Sequence, residues 1–449
     1  MSGESEGTHE LPPGWTWVTL GDLAEVLDSR RIPLNQAERD ARCATKEAHE
    51  LFPYYGATGQ VGWVDEYLFE DEAVLLGEDG APFLDRGKEK AYLVSGKYWV
   101  NNHAHILRAR VPNLNAFLRH QLNFIDYSKY VSGTTRLKLT QAQMVKIPIV
   151  LPPQREATRI ADRIDDLFGE IEAGEQELEK AREGLAAYRR AVLRAAVTGV
   201  LTRDWRQENS TKRRNLPETW VATAFDAMFE VIPDKGRKLK ERDYRQTGLF
   251  PVVDQGEKPI AGYTDDEGLR YVGRLPVILF GDHTRRFKYV DYDFVVGADG
   301  IKILAPHPQI EPLFGFWALR SAKFENRGYS RHFQFVRRLV LPVPPIKEQR
   351  VIAERLQAYD ESFDDAEATV TSGLMACKRL RQSILARAFS GNLAGQDAAD
   401  EAVATLLARL NYVRSEQSVR LNDERVIRDG RTARRRTRNF SRSAQRDER

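Results

Sequence analysis

Two stretches of the chain place apolar residues at alternating steps of four and three, the period of a coiled-coil seam. The first runs through Ile160, Ile164, Leu167, Ile171, Gly174, Leu178, Ala181, Leu185, Tyr188, Val192 and Ala195. The second repeats the register through Ile352, Leu356, Tyr359, Phe363, Ala366, Val370, Gly373, Cys377, Leu380, Ile384 and Arg387. Each opens directly after a Pro-Pro pair, Pro152-Pro153 or Pro344-Pro345, and contains no further proline. Glycines at Gly199 and Gly391 fall where a left-handed residue would stop a helix. The pattern predicts two rods of some 40 residues, roughly 60 Å long at about 1.5 Å per residue. One rod with an apolar stripe is unstable alone in water, whereas two in one chain can bury each other. The small seam residues Gly174, Ala181, Ala366 and Gly373 are expected to let the helices approach closely. Because each rod follows its own globular segment, the pairing is expected to be antiparallel, with the two globular domains at opposite ends.

Upstream of each rod the texture is different. From Leu11 to Pro152 and from Leu216 to Pro344, short β-rich runs alternate with Gly, Pro, Asn and Asp turns. Val74-Leu75-Leu76 before Gly77 and Val277-Ile278-Leu279-Phe280 before Gly281 read as buried strands. The expected class is α+β, with two mixed α/β domains separated by an antiparallel two-helix coiled coil in a pseudo-two-fold arrangement. The boundaries drawn are a disordered N-terminus at 1–10, domains at 11–152 and 216–344, and rods at 153–201 and 345–393. A charged linker is read at 202–215, an amphipathic helical segment at 394–423 and a basic disordered tail at 424–449. Val403, Leu406, Leu407, Leu410 and Val413 give the amphipathic segment an apolar face able to dock on the body.

The two halves are copies of one unit. From Pro153 and again from Pro345, 192 residues later, 49 positions align without a gap. Glu156, Ile160, Ala161, Arg163, Arg189 and Gly199 recur as Glu348, Ile352, Ala353, Arg355, Arg381 and Gly391. The openings match as well, Leu11, Pro12 and Trp15 with Leu216, Pro217 and Trp220. Such duplication gives a chain the symmetry of a homodimer and points to a two-fold symmetric partner.

Composition narrows the function only where charge is uneven. The formal charge of +3 is close to neutral, but ten arginines stand between Arg425 and the end against Asp429, Asp447 and Glu448. That tail reads as a solvated arm. Cys43 and Cys377 are far apart and outside any metal-binding spacing. No run of 18 apolar residues reads as a membrane span, and the first ten residues do not read as a signal sequence, so a cytoplasmic protein without a membrane role is expected. The sequence has no phosphate-binding G-x-x-x-x-G-K-[ST] loop, no dinucleotide Gly-x-Gly-x-x-Gly after a strand and no Asn/Asp-Pro-Pro-Tyr of an amino-methylating enzyme. His103 and His105 lack a third ligand in sequence and read as polar strand residues rather than a metal or nuclease site.

A chain without catalytic signatures and with paired domains reads as a binder. Recognition of duplex DNA needs Lys and Arg for phosphates and amide, guanidinium and hydroxyl groups for base edges. In the first domain the candidates are Arg30, Arg31, Lys88, Asn101, Asn102, Thr134, Thr135, Arg136 and Lys138. In the second they are Lys238, Lys240, His283, Thr284, Arg285, Arg286, Ser330 and Arg331. No catalytic residue and no metal ligand is assigned.

On these motifs the chain resembles the specificity subunit of type I restriction-modification enzymes, over about Leu11 to Leu393. The resemblance rests on the Leu-Pro-x-x-Trp openings, the strand-Gly segments at Gly77 and Gly281, and the Gly-Thr-Thr-Arg loop at 133–136. It rests most on Pro152-Pro153-Gln154-Arg155-Glu156 and Pro344-Pro345-Ile346-Lys347-Glu348, each opening a long helix. The resemblance implies two target-recognition domains, each reading one half of an asymmetric bipartite site on double-stranded DNA. It also implies spacer helices that carry two modification subunits, with restriction or translocase subunits joining them. S-adenosylmethionine, ATP and Mg belong on those partners and no cofactor on this chain, which is then not itself an enzyme. A free-standing bipartite DNA-binding regulator, or an enzyme with a nuclease site near His103, His105 or His283, are the other readings.

Overall fold

The computed structural model describes residues 11–209, 219–233, 236–298, 300–323 and 331–410. The copied opening at Leu216-Pro217, Lys235, Ser330 with the loop around Gly328, the N-terminus and the basic tail lie outside the described residues. The chain forms two compact units, one made of Met1–Gln176 with Leu374–Arg449 and the other of Glu177–Gly373. Each unit thus combines one globular domain with the start of one long helix and the end of the other.

In the first unit, Thr16–Thr19 pairs antiparallel with Pro148–Leu151, tying the ends of the domain together. The main sheet is antiparallel, in the order Ala24–Val26, Ala104–Ala109, Ala73–Gly77, Ala91–Val94. Val74, Leu75 and Leu76 are all fully buried, as expected of an apolar run flanked by breakers. Helix Asn115–Phe124 covers the sheet and contributes Phe117, Leu118 and Leu122 to the core. A second sheet orders Gly59–Val64, Phe52–Gly56, Lys97–Val100 and Phe69–Glu70, with Phe52–Gly56 and Lys97–Val100 parallel.

The second unit repeats this plan. Val221–Ala224 pairs with Val340–Val343, and the main sheet runs Phe229–Ile232, Ile301–Pro306, Val277–Gly281, Phe287–Val290 under helix Pro312–Ser321. Its second sheet keeps Gly262–Thr264, Phe250–Val253 and Val295–Gly297, again with a parallel pair at the centre. The fourth strand differs: Lys238–Leu239 joins parallel, where Phe69–Glu70 joins antiparallel in the first unit.

The motif residues that recur have a physical reason. The Trp15 indole N–H donates to Glu156 at 3.0 Å, and Trp220 donates to Glu348 at 3.0 Å, so the opening motif and the Pro-Pro-x-x-Glu motif hold one another in each unit. A buried carboxylate needs such donors. Burial pushes the Glu156 carboxyl up. Glu348 also accepts from Thr202 at 2.7 Å and is ion-paired with Arg206.

The long helices span Gln154–Val197 and Ile346–Phe389, and the capping glycines Gly199 and Gly391 have φ of +72° and +73°. In the second unit Leu178 lies against Gly373 and Arg189 pairs with Asp360, an antiparallel register. In the first unit Glu175 pairs with Arg381 at 2.9 Å and Ile164 and Ile171 share a core with Ile384 and Leu385. Two expectations need correction. The seam is not uniformly closed: Gly174 and Ala181 are exposed and Ala366 is half-buried, while Gly373 lies against Leu178, because the apolar partners are concentrated where the globular domains press on the helices. The charged linker is partly helical: Arg203–Asn209 forms a helix held by Asp204 to Arg355 and by Arg206 to Glu348. Residues 403–410 form a helix whose Val403, Leu406 and Leu410 enter the first unit's core, as their spacing predicts.

Candidate nucleic-acid interface

In both units the central strand of the main sheet ends at a glycine followed by an acid. A Cβ at Gly77 would overlap Ala81 Cβ, and one at Gly281 would overlap Thr284 Oγ1, so only glycine lets the following turn fold back on the strand end. The acids then occupy equivalent places. Glu78 N–H donates to the His103 carbonyl at 2.7 Å and the Glu78 carbonyl accepts from Leu139 N–H at 2.7 Å. Asp282 N–H donates to Gly300 and its carbonyl accepts from His332 N–H at 3.0 Å. A polar loop from late in each domain is therefore docked on the same strand end.

In the first unit that loop is a hairpin, Val131–Ser132 paired with Lys138–Leu139. Gly133 has φ +104°, and a Cβ there would overlap the Arg136 carbonyl, so the turn requires glycine. Thr134, Thr135, Arg136 and Lys138 are all exposed on it. Arg136 donates to Asp79 at 2.8 Å and the same oxygen contacts His103 Nδ1 at 2.7 Å, yet the Arg136 side chain is 61% exposed. Asn102, exposed, stands next to His103. Lys138 pairs with Glu78 at 3.1 Å and Arg31 with Glu78 at 2.7 Å. Burial pushes the Glu78 carboxyl up, but the hydrogen bonds from Arg31 and Lys138 outweigh it and hold it below its usual range.

Several candidates prove to be internal or lie elsewhere. Arg31 also donates to the Ala104 carbonyl, and Asn101 is buried and accepts from His103 N–H at 2.8 Å, so both build the floor under the loop rather than its face. Arg30 donates to the Leu68 carbonyl and covers the Phe69 ring. Lys88 lies 3.9 Å from Asp85 in the turn before Ala91–Val94. The two histidines do not line one face: His103 precedes the strand and meets Asp79, whereas buried His105 meets Asp28 at 2.5 Å and the Leu139 carbonyl at 2.9 Å. Asp28, Glu78 and His105 come close enough to hold a cation, but the Arg31 guanidinium already bridges Asp28 and Glu78. The donor set is satisfied by its own residues.

In the second unit His283, Thr284, Arg285 and Arg286 form the turn between Val277–Gly281 and Phe287–Val290, with Arg285 in the left-handed region at φ +59°. Thr284 and Arg286 are exposed, and Arg286 reaches Glu257 at 2.9 Å. Arg331 is exposed and adjoins His332, whose N–H binds Asp282. Lys238 and Lys240 belong to the short parallel edge strand and the turn after it. The sequence pattern gave no sign of Asp79, His103 or Gln255 as interface residues. Gln255 Oε1 accepts from His283 N–H at 3.3 Å. Acids and amides that aim a cation carry no positional signal of their own.

Two copies of one fold that present unlike polar loops on the same strand end define a modular binding protein. The chain belongs to the type I restriction-modification DNA specificity family, whose domain model matches residues 12–180 and 217–374. It is 25% identical over 427 residues to the type I restriction enzyme EcoDI specificity subunit of Escherichia coli, covering 86% of this chain and 90% of that one. It is 32% identical over 157 residues to a putative type I specificity subunit, S.HindORF215P, of Haemophilus influenzae, covering 34% and 38% of the two chains. A solved type I R-M system chain, described in terms of complex assembly and conformational transition, shares the fold with a TM-score of 0.59 at 17% identity, over 86% of this chain and all of that one. Among the described residues no helix is long and apolar enough to cross a membrane.

Proposed function

We propose that each unit reads one half of an asymmetric, bipartite DNA site and that the chain does so on behalf of modification subunits that carry the methyl-transfer chemistry. The observation that carries this reading is the contrast between a shared strand order and unshared loops at the same strand end. In the first unit the reading group is Asn102, Thr134, Thr135, Arg136 and Lys138; in the second it is His283, Thr284 and Arg286 with Arg331, and Arg285 on the same turn is suited to the DNA backbone. Guanidinium and amide groups on exposed turns are suited to base edges, and lysines to phosphates. The long helices offer surfaces for two copies of the modification subunit, with restriction or translocase subunits joining that core. S-adenosylmethionine, ATP and Mg would then be held by the partners and none by this chain.

Methylome sequencing of cells carrying the chain with its modification subunit tests the proposal. A split motif with two unlike halves is expected, and inserting one heptad into both long helices should lengthen its gap. A continuous or palindromic motif would contradict the assignment of one half to each unit.

A further inference from the structure

A cleft of ≈ 990 Å³ opens within the second unit, between the strand Phe287–Val290, the helix Pro312–Ser321 and the long helices at Arg189 and Asp360. Six cationic and three acidic side chains line it, together with Phe316 and two tyrosines. The acids are engaged: Asp360 pairs with Arg189 and lies 3.7 Å from Arg320, Asp364 lies 3.5 Å from Arg189, and Glu257 binds Arg286. Lys288 is held by Asp254 at 3.6 Å, and Arg320 is further fixed over the Phe316 and Trp317 rings. Arg285 and Lys323, by contrast, make no ion pair among the described residues, and both line the cleft. The surplus charge is therefore concentrated on two side chains at the turn and at the end of the helix.

The first unit has a longer connection between the corresponding strands. There thirteen residues, 78–90, join Ala73–Gly77 to Ala91–Val94, against five, 282–286, between Val277–Gly281 and Phe287–Val290. The longer turn reaches the end of the second long helix, where the Arg86 carbonyl accepts from Gln382 at 2.5 Å. Its Arg86 also pairs with Asp126 at 3.3 Å. The turn of the second unit is eight residues shorter, and the cationic hollow lies beside it.

We infer that this cleft seats a phosphodiester segment of DNA bordering the half-site read by the second unit, with Arg285 and Lys323 paired to its phosphates. The inference rests on the DNA-reading function proposed above. A hollow of this volume is in the range that holds small ligands, so it takes a stretch of one sugar-phosphate strand and not the duplex. Aromatic walls beside cations suit that chemistry, since the rings pack on the apolar faces of deoxyribose while the cations take the phosphate charge. It also makes the two units unequal in kind: one touches DNA through its docked hairpin, the other through its polar turn and the cleft.

The test measures binding of the purified full chain to a duplex carrying the methylome-defined site, between about 50 and 200 mM salt. The double variant R285A/K323A should weaken binding and make the slope of log affinity against log salt shallower by about 0.9 for every phosphate that is no longer neutralised. The charge-keeping variant R285K/K323R should retain the wild-type slope, which separates removal of charge from misfolding. An unchanged slope in the double alanine variant, while R136A still weakens binding, overturns the cleft and leaves the DNA-reading function standing. No DNA binding by the wild-type chain overturns both. Displacement of DNA from the wild-type chain, but not from the double alanine variant, by micromolar nucleoside monophosphate would assign the cleft to a free nucleotide and overturn the inference.

Discussion

The two units share a scaffold and part company at one strand end. In the first, a thirteen-residue turn carries Glu78 and Asp79, and those acids collect Arg31, Lys138, Arg136 and His103 into a knit surface. In the second, a five-residue turn carries Asp282, whose carboxylate is occupied in capping Phe333 N–H at 2.7 Å, and the arginines that follow are not gathered by a neighbouring acid on that turn. The difference teaches how one fold acquires two specificities. Strands and helix starts are constrained by packing that tolerates little change, whereas the loops at the strand end answer only to hydrogen bonding and solvent.

The comparison breaks most readily at the buried carboxylates. Glu348→Ala leaves Arg206 without its ion pair and Trp220 without its acceptor, and is expected to cost about 3–5 kcal/mol. Glu156→Ala, which strands the Trp15 N–H but no directly paired arginine, should cost about 1–3 kcal/mol. Chemical denaturation of the full chain reads both, and equal losses would deny that the two anchors differ. Glu156→Gln keeps an acceptor for Trp15 and removes a charge that burial disfavours, so it should cost less than Glu156→Ala.

Recognition comes next in size. Arg136→Ala is expected to weaken discrimination in one half-site by about 1–3 kcal/mol, with no change at the other. Binding to duplexes altered in one half at a time tests this. A loss spread evenly over both halves would show that Arg136 acts on affinity in general and not on the first half-site.

The smallest effect is the pH dependence contributed by one ion pair of the second unit. Hydrogen bonding and charge from Arg355 hold the Asp204 carboxyl down to about 2, below its ordinary value of 3.8. A depressed carboxylate stabilises the fold above its unfolded value, and that contribution fades as the pH falls from about 4 toward about 2. Because the pair is solvent-exposed, its worth is about 0.5 kcal/mol. Asp204→Asn should remove this increment at neutral pH and leave stability near pH 2 unchanged, as read by melting temperature across that range.

Much of the architecture is legible along the chain because it depends on period and repetition. Heptad spacing, the Pro-Pro starts and the glycine stops mark both long helices, and a 192-residue offset marks the duplication. The buried runs before Gly77 and Gly281 mark the central strands. The candidate interface is legible only in part. Thr134, Thr135, Arg136 and Lys138 are close in sequence and stay together on a hairpin, as do His283 to Arg286 on a turn. Arg31 and Asn101 have the same residue chemistry but face inward, since which side of a turn a polar group takes depends on acids far along the chain, such as Glu78 for Arg31.

The sequence by itself determined a duplicated protein with two long helices, two mixed domains and unlike loops, because local period and internal repetition are carried by neighbouring residues. Tertiary structure alone decided that Trp15 and Glu156 meet across 141 positions, that Asp79 aims Arg136 across 57, and that the second unit opens a cleft between its short turn, a helix and the long helices. Those outcomes depend on distances between segments remote in the chain, and only packing of the whole unit fixes them.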